Sequence, residues 1–175
     1  MKYSTFAGAL LASALFLMGG PALADGSGDP KPVKEVDGKY FDKDGNPTFN
    51  VSADGTIDWA TYSGFRRYHS ECHVCHGPDA EGSSYAPALK DSLKNLSYQE
   101  FYGIVVGGKQ DLGGGQEKVM PAFADNKNVM CYIDDIFTYL RARADDAVGR
   151  GRPLKHEEKP EAAGKAETAC FEEKN

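Results

Sequence analysis

Two cysteines and a histidine lie within five consecutive residues, in the order Cys72, Cys75 and His76. In a helical turn, two thiols at this spacing can bond to two neighbouring groups of one cofactor, and the adjacent imidazole can bind a metal ion. This C-x-x-C-H spacing is the attachment motif of c-type haem, in which each thiol adds to one vinyl group. The sequence therefore predicts one covalently bound haem, attached at Cys72 and Cys75, with His76 as an axial ligand of the iron.

Three other interpretations of the C-x-x-C pair remain open. A thioredoxin-like redox pair is normally surrounded by a βαβ pattern, which this sequence does not show. A zinc site needs further ligands, and Cys131 and Cys170 do not form a second C-x-x-C. An ordinary disulfide between Cys72 and Cys75 is less favoured, because pairs at this spacing are usually reactive.

A methionine is expected as the second axial ligand, because His with Met is the ligation of electron-transfer haems and raises the reduction potential. Met120 follows a Gly-rich stretch, whereas Met130 lies at the start of an apolar helix, where core packing is the simpler role. We therefore expect Met120 to be the ligand. An open or His-ligated iron is the alternative, although His69 lies too close to Cys72 to reach the other haem face. The remaining candidate, His156, is expected to be solvated.

The N-terminus has the pattern of an export signal. Lys2 precedes an apolar stretch over residues 6–18, and Ala22-Leu23-Ala24 follows as a small-x-small cleavage site. The apolar stretch is too short to span a bilayer, so we expect cleavage after Ala24 and a periplasmic protein without stable membrane insertion. An uncleaved anchor is the alternative. A net charge of −6 argues against nucleic acid and anionic membranes as partners, and suits a partner with a basic patch.

The elements that position these residues are mainly helical. Apolar residues at helical spacing predict three helices, over about 57–71, 97–107 and 129–144. Asp58 is the expected N-cap of the first helix, and Ser97-x-x-Glu100 is a capping box for the second. Loops are expected over residues 77–96 and 111–118.

The two ends of the chain have a different character. Short β-prone runs flank the Asp44-Gly45 turn and predict a hairpin. Residues 25–36 are polar and rich in Gly and Pro, so we expect them to be loosely attached. The charged end of the chain is expected to be extended and anchored at Cys170. We divide the chain into a signal peptide, an N-terminal extension, a haem domain and a tail: 1–24, 25–58, 59–145 and 146–175.

Residues 61–144 resemble a class I cytochrome c. That family has a glycine eight residues before the first haem cysteine and an aromatic residue four before it, here Gly64 and Tyr68. Its C-terminal helix carries an aromatic–leucine pair, here Tyr139-Leu140, and the glycine lets the two helices pack closely.

The resemblance also assigns a role to Pro87. In the family, a proline after the motif accepts a hydrogen bond from the haem histidine through its carbonyl oxygen, which fixes the imidazole tautomer. The implied fold is an all-α cytochrome c domain with a short N-terminal hairpin and a disulfide-anchored tail. The implied activity is electron transfer rather than catalysis, with no catalytic residues.

A narrower resemblance rests on Cys131, Cys170, the segment 40–47 and the stretch 149–153, Gly-Arg-Gly-Arg-Pro. These features are similar to the four-cysteine c-type cytochromes of methanol metabolism, which are relatives of cytochrome cL. The resemblance implies a periplasmic pyrroloquinoline quinone (PQQ)-dependent alcohol dehydrogenase as donor, of the lanthanide-type methanol dehydrogenases. Another c-type cytochrome or an oxidase would be the acceptor.

Cys131 and Cys170 are expected to pair with each other, because disulfides persist in an oxidising compartment. The bridge would close a long loop and stabilise the fold by about 4 kcal/mol in the chain-entropy model. Free thiols, or pairing between molecules, are the alternatives. Two other functions also stay open: a haem enzyme of the peroxidase type, which needs an open sixth position, and a haem-based sensor, which needs a signalling domain.

Overall fold

A computed structural model describes residues 26–111 and 118–173 of the chain. The predicted signal peptide, residues 1–24, lies outside the described residues. Helix α1 (Trp59–Glu71) begins at Asp58, whose carboxylate accepts hydrogen bonds from the Thr61 amide and hydroxyl at 2.8 and 2.6 Å. These bonds satisfy donors that the first helical turn leaves open, so the predicted N-cap is confirmed.

Three short helical segments follow α1. Helix α2 (His73–His76) and a 3₁₀ turn (Pro78–Ala80) follow, and α3 (Leu89–Ser92) lies within the region that was predicted as loop. Helix α4 (Tyr98–Gly107) starts at the predicted capping box. The Ser97 hydroxyl accepts from the Glu100 amide, and the Glu100 carboxylate accepts from the Ser97 amide.

Two short strands flank the loop that was predicted over residues 111–118. Strands β4 (Lys109–Asp111) and β5 (Lys118–Met120) pair antiparallel, with Lys109 opposite Met120. The Gly-rich residues 112–117 between them lie outside the described residues. Because β5 pairs with β4, Met120 belongs to a short ladder rather than to a free loop.

The last predicted helix is divided in two. Helix α5 (Lys127–Met130) starts at Asn126, whose side chain caps it, and α6 (Ile133–Ala144) follows. The prediction of one continuous helix over 129–144 is wrong, because Tyr132 leaves the helical conformation at φ −129° and ψ 16°. Its ring lies 3.6 Å from the guanidinium carbon of Arg67 on α1.

Helices α1 and α6 form the main helix–helix contact, and Gly64 lies where they cross. A Cβ atom on Gly64 would lie 1.8 Å from the Asp135 carbonyl oxygen and 2.8 Å from the Tyr139 Cβ. Only glycine permits this approach, because real non-bonded contacts are never so short. Tyr139, Phe137 and Leu140 of α6 are fully buried beside the crossing.

The N-terminal extension forms a small sheet in the order β1-β2-β3. Strand β2 (Lys39–Phe41) pairs with β3 (Pro47–Thr48) across the Asp44-Gly45 turn, which confirms the predicted hairpin. Strand β1 (Lys34–Val36) adds a third strand on the other side of β2.

The prediction that residues 25–36 are loosely attached is wrong for the residues that the structure describes. Arg141 of α6 is fully buried and forms an ion pair with buried Asp42 at 2.9 Å. It also donates to the carbonyl oxygens of Asp29, at 2.9 Å, and Pro47, at 3.0 Å. A buried cation requires such acceptors, so the N-terminal segment is held against α6.

The prediction of an extended tail is also wrong over its last part, which forms helix α7 (Glu161–Glu172). Alanine, the strongest helix former, occurs four times in it, and Glu161 pairs with Lys165 one turn later at 2.7 Å. The Cys131–Cys170 disulfide joins α7 to the end of α5, as predicted. Within 26–111 and 118–173, no helix has the length and apolar character needed to cross a membrane.

Candidate functional site

The C-x-x-C-H motif forms a helical turn at the end of α1. The amides of Cys75 and His76 both donate to the Cys72 carbonyl oxygen, at 3.2 and 3.0 Å. The Cys72 and Cys75 thiols are unpaired, whereas Cys131 and Cys170 are bridged. The four cysteines therefore form one disulfide, Cys131–Cys170, and one pair of free thiols next to His76.

The surroundings of Cys72 and Cys75 bear on two alternatives to haem attachment, a dithiol redox pair and a zinc site. Burial, with smaller contributions from Glu71 and Cys75, raises the pKa of the Cys72 thiol to about 12. Burial therefore disfavours the thiolate of Cys72, so Cys72 does not suit the role of an attacking thiol in a redox pair. A structural zinc site needs four ligands, and in the described part of the chain no three residues among His, Cys, Asp and Glu come together as an ion site.

His76 is held in one orientation by Pro87. Its Nδ1 donates to the Pro87 carbonyl oxygen at 3.0 Å, and the side chain is largely buried. Because Nδ1 carries the proton in this bond, Nε2 is the nitrogen with a lone pair for a metal ion. The same bond increases the basicity of the imidazole.

The loop that carries Pro87 is tied to the motif by Gly82 and Ser83. The Gly82 amide donates to the His76 carbonyl oxygen at 2.8 Å, and the Ser83 hydroxyl donates to the Cys75 carbonyl oxygen. The Ser83 hydroxyl in turn accepts from the Tyr85 amide at 3.0 Å. These bonds fix the loop over the motif and so place the Pro87 carbonyl at His76.

Two tyrosines lie behind the motif. Tyr68 of α1 is fully buried, and its hydroxyl donates to the Gly77 carbonyl oxygen at 2.5 Å. Burial raises the pKa of both Tyr68 and Tyr139, so both phenols stay protonated. Their rings lie 5.6 Å apart between centroids. Gly64 brings α6 close enough for this contact, which connects the motif to the helix crossing.

Met120 lies at the end of β5, with its position fixed from the backbone by Gly108. Gly108 has a φ of +73°, and a Cβ on it would lie 2.7 Å from the Met120 carbonyl oxygen. The next turn is held by the Phe123 amide, which donates to the Val105 carbonyl oxygen at 3.0 Å. Met120 and Cys72 are both partly buried and pack against the same apolar core.

These residues fit a haem. Two unpaired thiols, an imidazole with Nε2 as its metal-binding nitrogen, and a thioether are the donors that a c-type haem uses. Several apolar side chains pack on the core while staying partly exposed, which suits a large flat apolar group: Cys72, Leu89, Met120, Phe123 and Met130.

The other histidines are engaged elsewhere. His69 Nδ1 donates to the Phe65 carbonyl oxygen at 2.8 Å, and its Nε2 lies 3.6 Å from Asp79. His156 was expected to be solvated, but it is half-buried and its ring stacks on Tyr62 at 3.6 Å between centroids. The aromatic face of Tyr62 explains that difference. Met120 therefore remains the better-placed candidate for the second ligand.

No family model matches the chain. Cytochrome c-553I of Paracoccus denitrificans is 47% identical over 143 residues, which make up 82% of this chain and span 63% of that relative. Cytochrome c-555 of Methylococcus capsulatus is 42% identical over 96 residues, which are 54% of this chain and 72% of the relative. This chain belongs to the c-type cytochromes. The cytochrome therefore carries covalently bound haem c, as the motif predicted.

A solved structure supports the same assignment for the fold. The c-type cytochrome XoxG from Methylobacterium extorquens AM1 is 64% identical to this cytochrome and superposes with a TM-score of 0.76. The match covers 81% of this chain and 86% of XoxG. The resemblance to class I c-type cytochromes is thus confirmed, together with the predicted fold class.

Sequence reasoning missed two positioning residues of the cytochrome. Ser83 was assigned only to a loop, although a serine within Gly82-Ser83-Ser84 is a turn former whose hydroxyl often bonds nearby backbone. Gly108 is the C-cap of α4, and its contact with Met120 depends on the β4–β5 pairing. Only the first of these has a local signal in the sequence.

Proposed function

We propose that this cytochrome is a periplasmic carrier of single electrons. In this proposal Cys72 and Cys75 attach the haem within residues 59–145, and His76 and Met120 ligate the iron. The observation that carries it is the His76–Pro87 hydrogen bond of 3.0 Å, which leaves Nε2 of a buried imidazole with the lone pair that would bind the iron. When bound, haem c supplies reversible one-electron chemistry at its iron.

The surrounding residues supply orientation and a dry environment. The Pro87 carbonyl holds the His76 tautomer, so the ligand need not reorganise during electron transfer. A thioether from Met120 raises the reduction potential relative to a second histidine. With Met120 on the iron the sixth position would be filled, which suits a carrier rather than a haem enzyme with an open sixth position.

Export is supported by two independent features. The Cys131–Cys170 disulfide is of a kind that forms and persists outside the cytosol. The N-terminal sequence has the charge, apolar length and small residues of a signal peptide cleaved after Ala24. Residues 25–58 and 146–175 would then be the extension and the tail of the mature protein.

We further propose a PQQ-dependent methanol or alcohol dehydrogenase, of the lanthanide type, as the electron donor. The likeness to XoxG and the four-cysteine pattern of the sequence support this choice. Another c-type cytochrome or an oxidase would accept the electron. The alternative is a general shuttle that serves a different dehydrogenase.

Mixing the oxidised cytochrome with a purified PQQ methanol dehydrogenase and methanol tests the donor. We expect the haem absorption to become that of the reduced protein, with a rate that falls as salt rises, because charged proteins associate faster at low ionic strength. If the cytochrome stays oxidised there and another dehydrogenase reduces it, the general shuttle replaces this donor.

Gly108→Ala tests Met120 as the axial ligand. We expect the weak red absorption band of methionine-ligated ferric haem to be lost or reduced, because the added Cβ displaces the Met120 carbonyl. Gly107→Ala is the matched control, since a Cβ there meets nothing within 4 Å and its band should be unchanged. An unchanged band in Gly108→Ala, or its absence from the unmodified cytochrome, would argue against Met120 ligation.

A further inference from the structure

One part of the segment between α6 and α7 differs in charge from the rest of the cytochrome. Arg150, Arg152 and Lys155 lie within six residues, and no acidic residue occurs between Asp146 and Glu157. The whole chain has a net charge of −6. We call residues 149–155 the basic loop.

The basic loop presents its side chains to the surface. The side chains of Arg150 and Lys155 are 69% and 61% exposed. Leu154 is 93% exposed, which is the largest exposed fraction among the bulky apolar residues that the structure describes. Single exposed apolar residues are common, but here one lies between cationic side chains.

The backbone of the basic loop is nevertheless fixed. The Gly151 amide donates to the Asp79 carboxylate at 3.0 Å, and the Ile57 amide donates to the Lys155 carbonyl oxygen at 3.2 Å. Arg152 adds a side-chain bond to the Tyr62 hydroxyl at 2.6 Å. A solvated linker has no such bonds. A fixed loop with exposed side chains is preorganised, and binding it costs less conformational entropy.

A groove of about 330 Å³ is lined by the basic loop and by Gly55 and Ile57, which precede α1. Its lining includes two buried apolar residues, Ile57 and Val148, together with the three cationic residues of the basic loop. A groove that combines apolar and cationic residues suits an acidic surface with an apolar side chain at its centre.

The basic loop also lies close to the haem-binding motif. Asp79, which accepts from the Gly151 amide and pairs with Arg150 at 3.6 Å, comes three residues after His76. The same Asp79 lies 3.6 Å from His69 of α1. A protein bound at the basic loop would therefore contact the cytochrome next to the segment that holds the haem.

We propose that the basic loop is a docking surface for the electron donor, and that it binds an acidic patch with an apolar centre on that protein. The proposal rests on the proposed function, because the partner is the dehydrogenase that donates electrons. It reverses the expectation from net charge, which favoured a partner with a basic patch. Arg150 and Lys155 pair with Asp79 at 3.6 Å and with Asp54 at 3.5 Å but stay mostly exposed, and they supply the attraction. Leu154 supplies the apolar contact.

The test compares two variants with the same change in net charge. Arg150→Gln/Lys155→Glu removes the charge of the basic loop, and Lys165→Gln/Lys34→Glu makes the same change at exposed positions of α7 and β1. The second-order rate of reduction of the haem-loaded cytochrome by the donor dehydrogenase is measured at low and physiological salt. Ascorbate, a small reductant that needs no docking, is the control reaction.

We expect the loop variant to be reduced about tenfold more slowly at low salt, with a weaker salt dependence. The control variant should stay within about twofold of the unmodified cytochrome, and ascorbate should reduce all three equally. Leu154→Ser, which leaves the charge unchanged, should slow the donor reaction at every salt concentration.

An unchanged rate in the loop variant would overturn the proposal. A faster rate would overturn it as well, because the added negative charge speeds binding only to a basic patch. Failure of the proposed donor is a separate result, in which the unmodified cytochrome is not reduced by the PQQ methanol dehydrogenase. The same variants are then compared with the dehydrogenase that does reduce it, and the same two outcomes decide.

Discussion

Gly64→Ala is expected to destabilise the cytochrome by about 3 kcal/mol, near the upper end of what overpacking a core costs. The added Cβ would lie 1.8 Å from the Asp135 carbonyl oxygen, and backbone on both helices must move to admit it. Because α1 leads directly into the motif, the displacement also reaches Tyr68 and Cys72. Urea unfolding of the haem-loaded protein, followed by far-ultraviolet circular dichroism, measures the change in the free energy of unfolding.

Gly103→Ala is the matched control for Gly64→Ala. Gly103 lies inside helix α4, and a Cβ there meets nothing within 4 Å. The same substitution should therefore stabilise the cytochrome slightly, by about 0.5–1 kcal/mol, because alanine favours the helix. If both variants lose similar stability, the close approach at Gly64 is not the cause.

Asp42→Ala is expected to lower the free energy of unfolding by about 3–5 kcal/mol, because it leaves the buried Arg141 guanidinium without its counter-charge. Both side chains are fully buried, and their atoms lie 2.9 Å apart. The Asp42 carboxylate also accepts from the amides of Asp44 and Asn46 at 2.9 Å, so the hairpin turn loses its support too. Urea unfolding measures the loss.

Asp44→Ala removes the same charge from the same turn and is the control. Its ion pair with Lys43 is exposed, and such pairs contribute about 0–1 kcal/mol. The double variant Asp42→Ala/Arg141→Leu should be less destabilised than the sum of its two single variants, because no unpaired charge remains buried. Simple additivity in this cycle would show that the Asp42–Arg141 pair is not coupled.

The features that could be predicted from the sequence have local causes. The Asp58 N-cap and the Ser97–Glu100 capping box depend on residues three positions apart, and the structure has both. The spacing of Cys72, Cys75 and His76 identified the haem attachment motif. The role of each of these residues stays a prediction, which the spectroscopic and kinetic experiments above address.

The features that could not be predicted depend on residues far apart in the chain. The N-terminal segment looked loose because its anchor, Arg141, lies 112 positions after Asp29. At the helix break, Tyr132 packs against Arg67 of another helix, and no Gly or Pro near Tyr132 indicates the break in the sequence. Periodicity describes one helix at a time, so it shows neither a partner nor an interruption that a partner imposes.

The Cys131–Cys170 bridge has a topological consequence for the surface of the cytochrome. The basic loop lies between the two bridged residues, within the covalent ring that the disulfide closes across 39 positions. A protease that cuts an exposed bond there, such as one beside Leu154, produces two fragments that remain one molecule. Nicking alone therefore cannot release α7, and the tail is shed only when the bridge is also reduced.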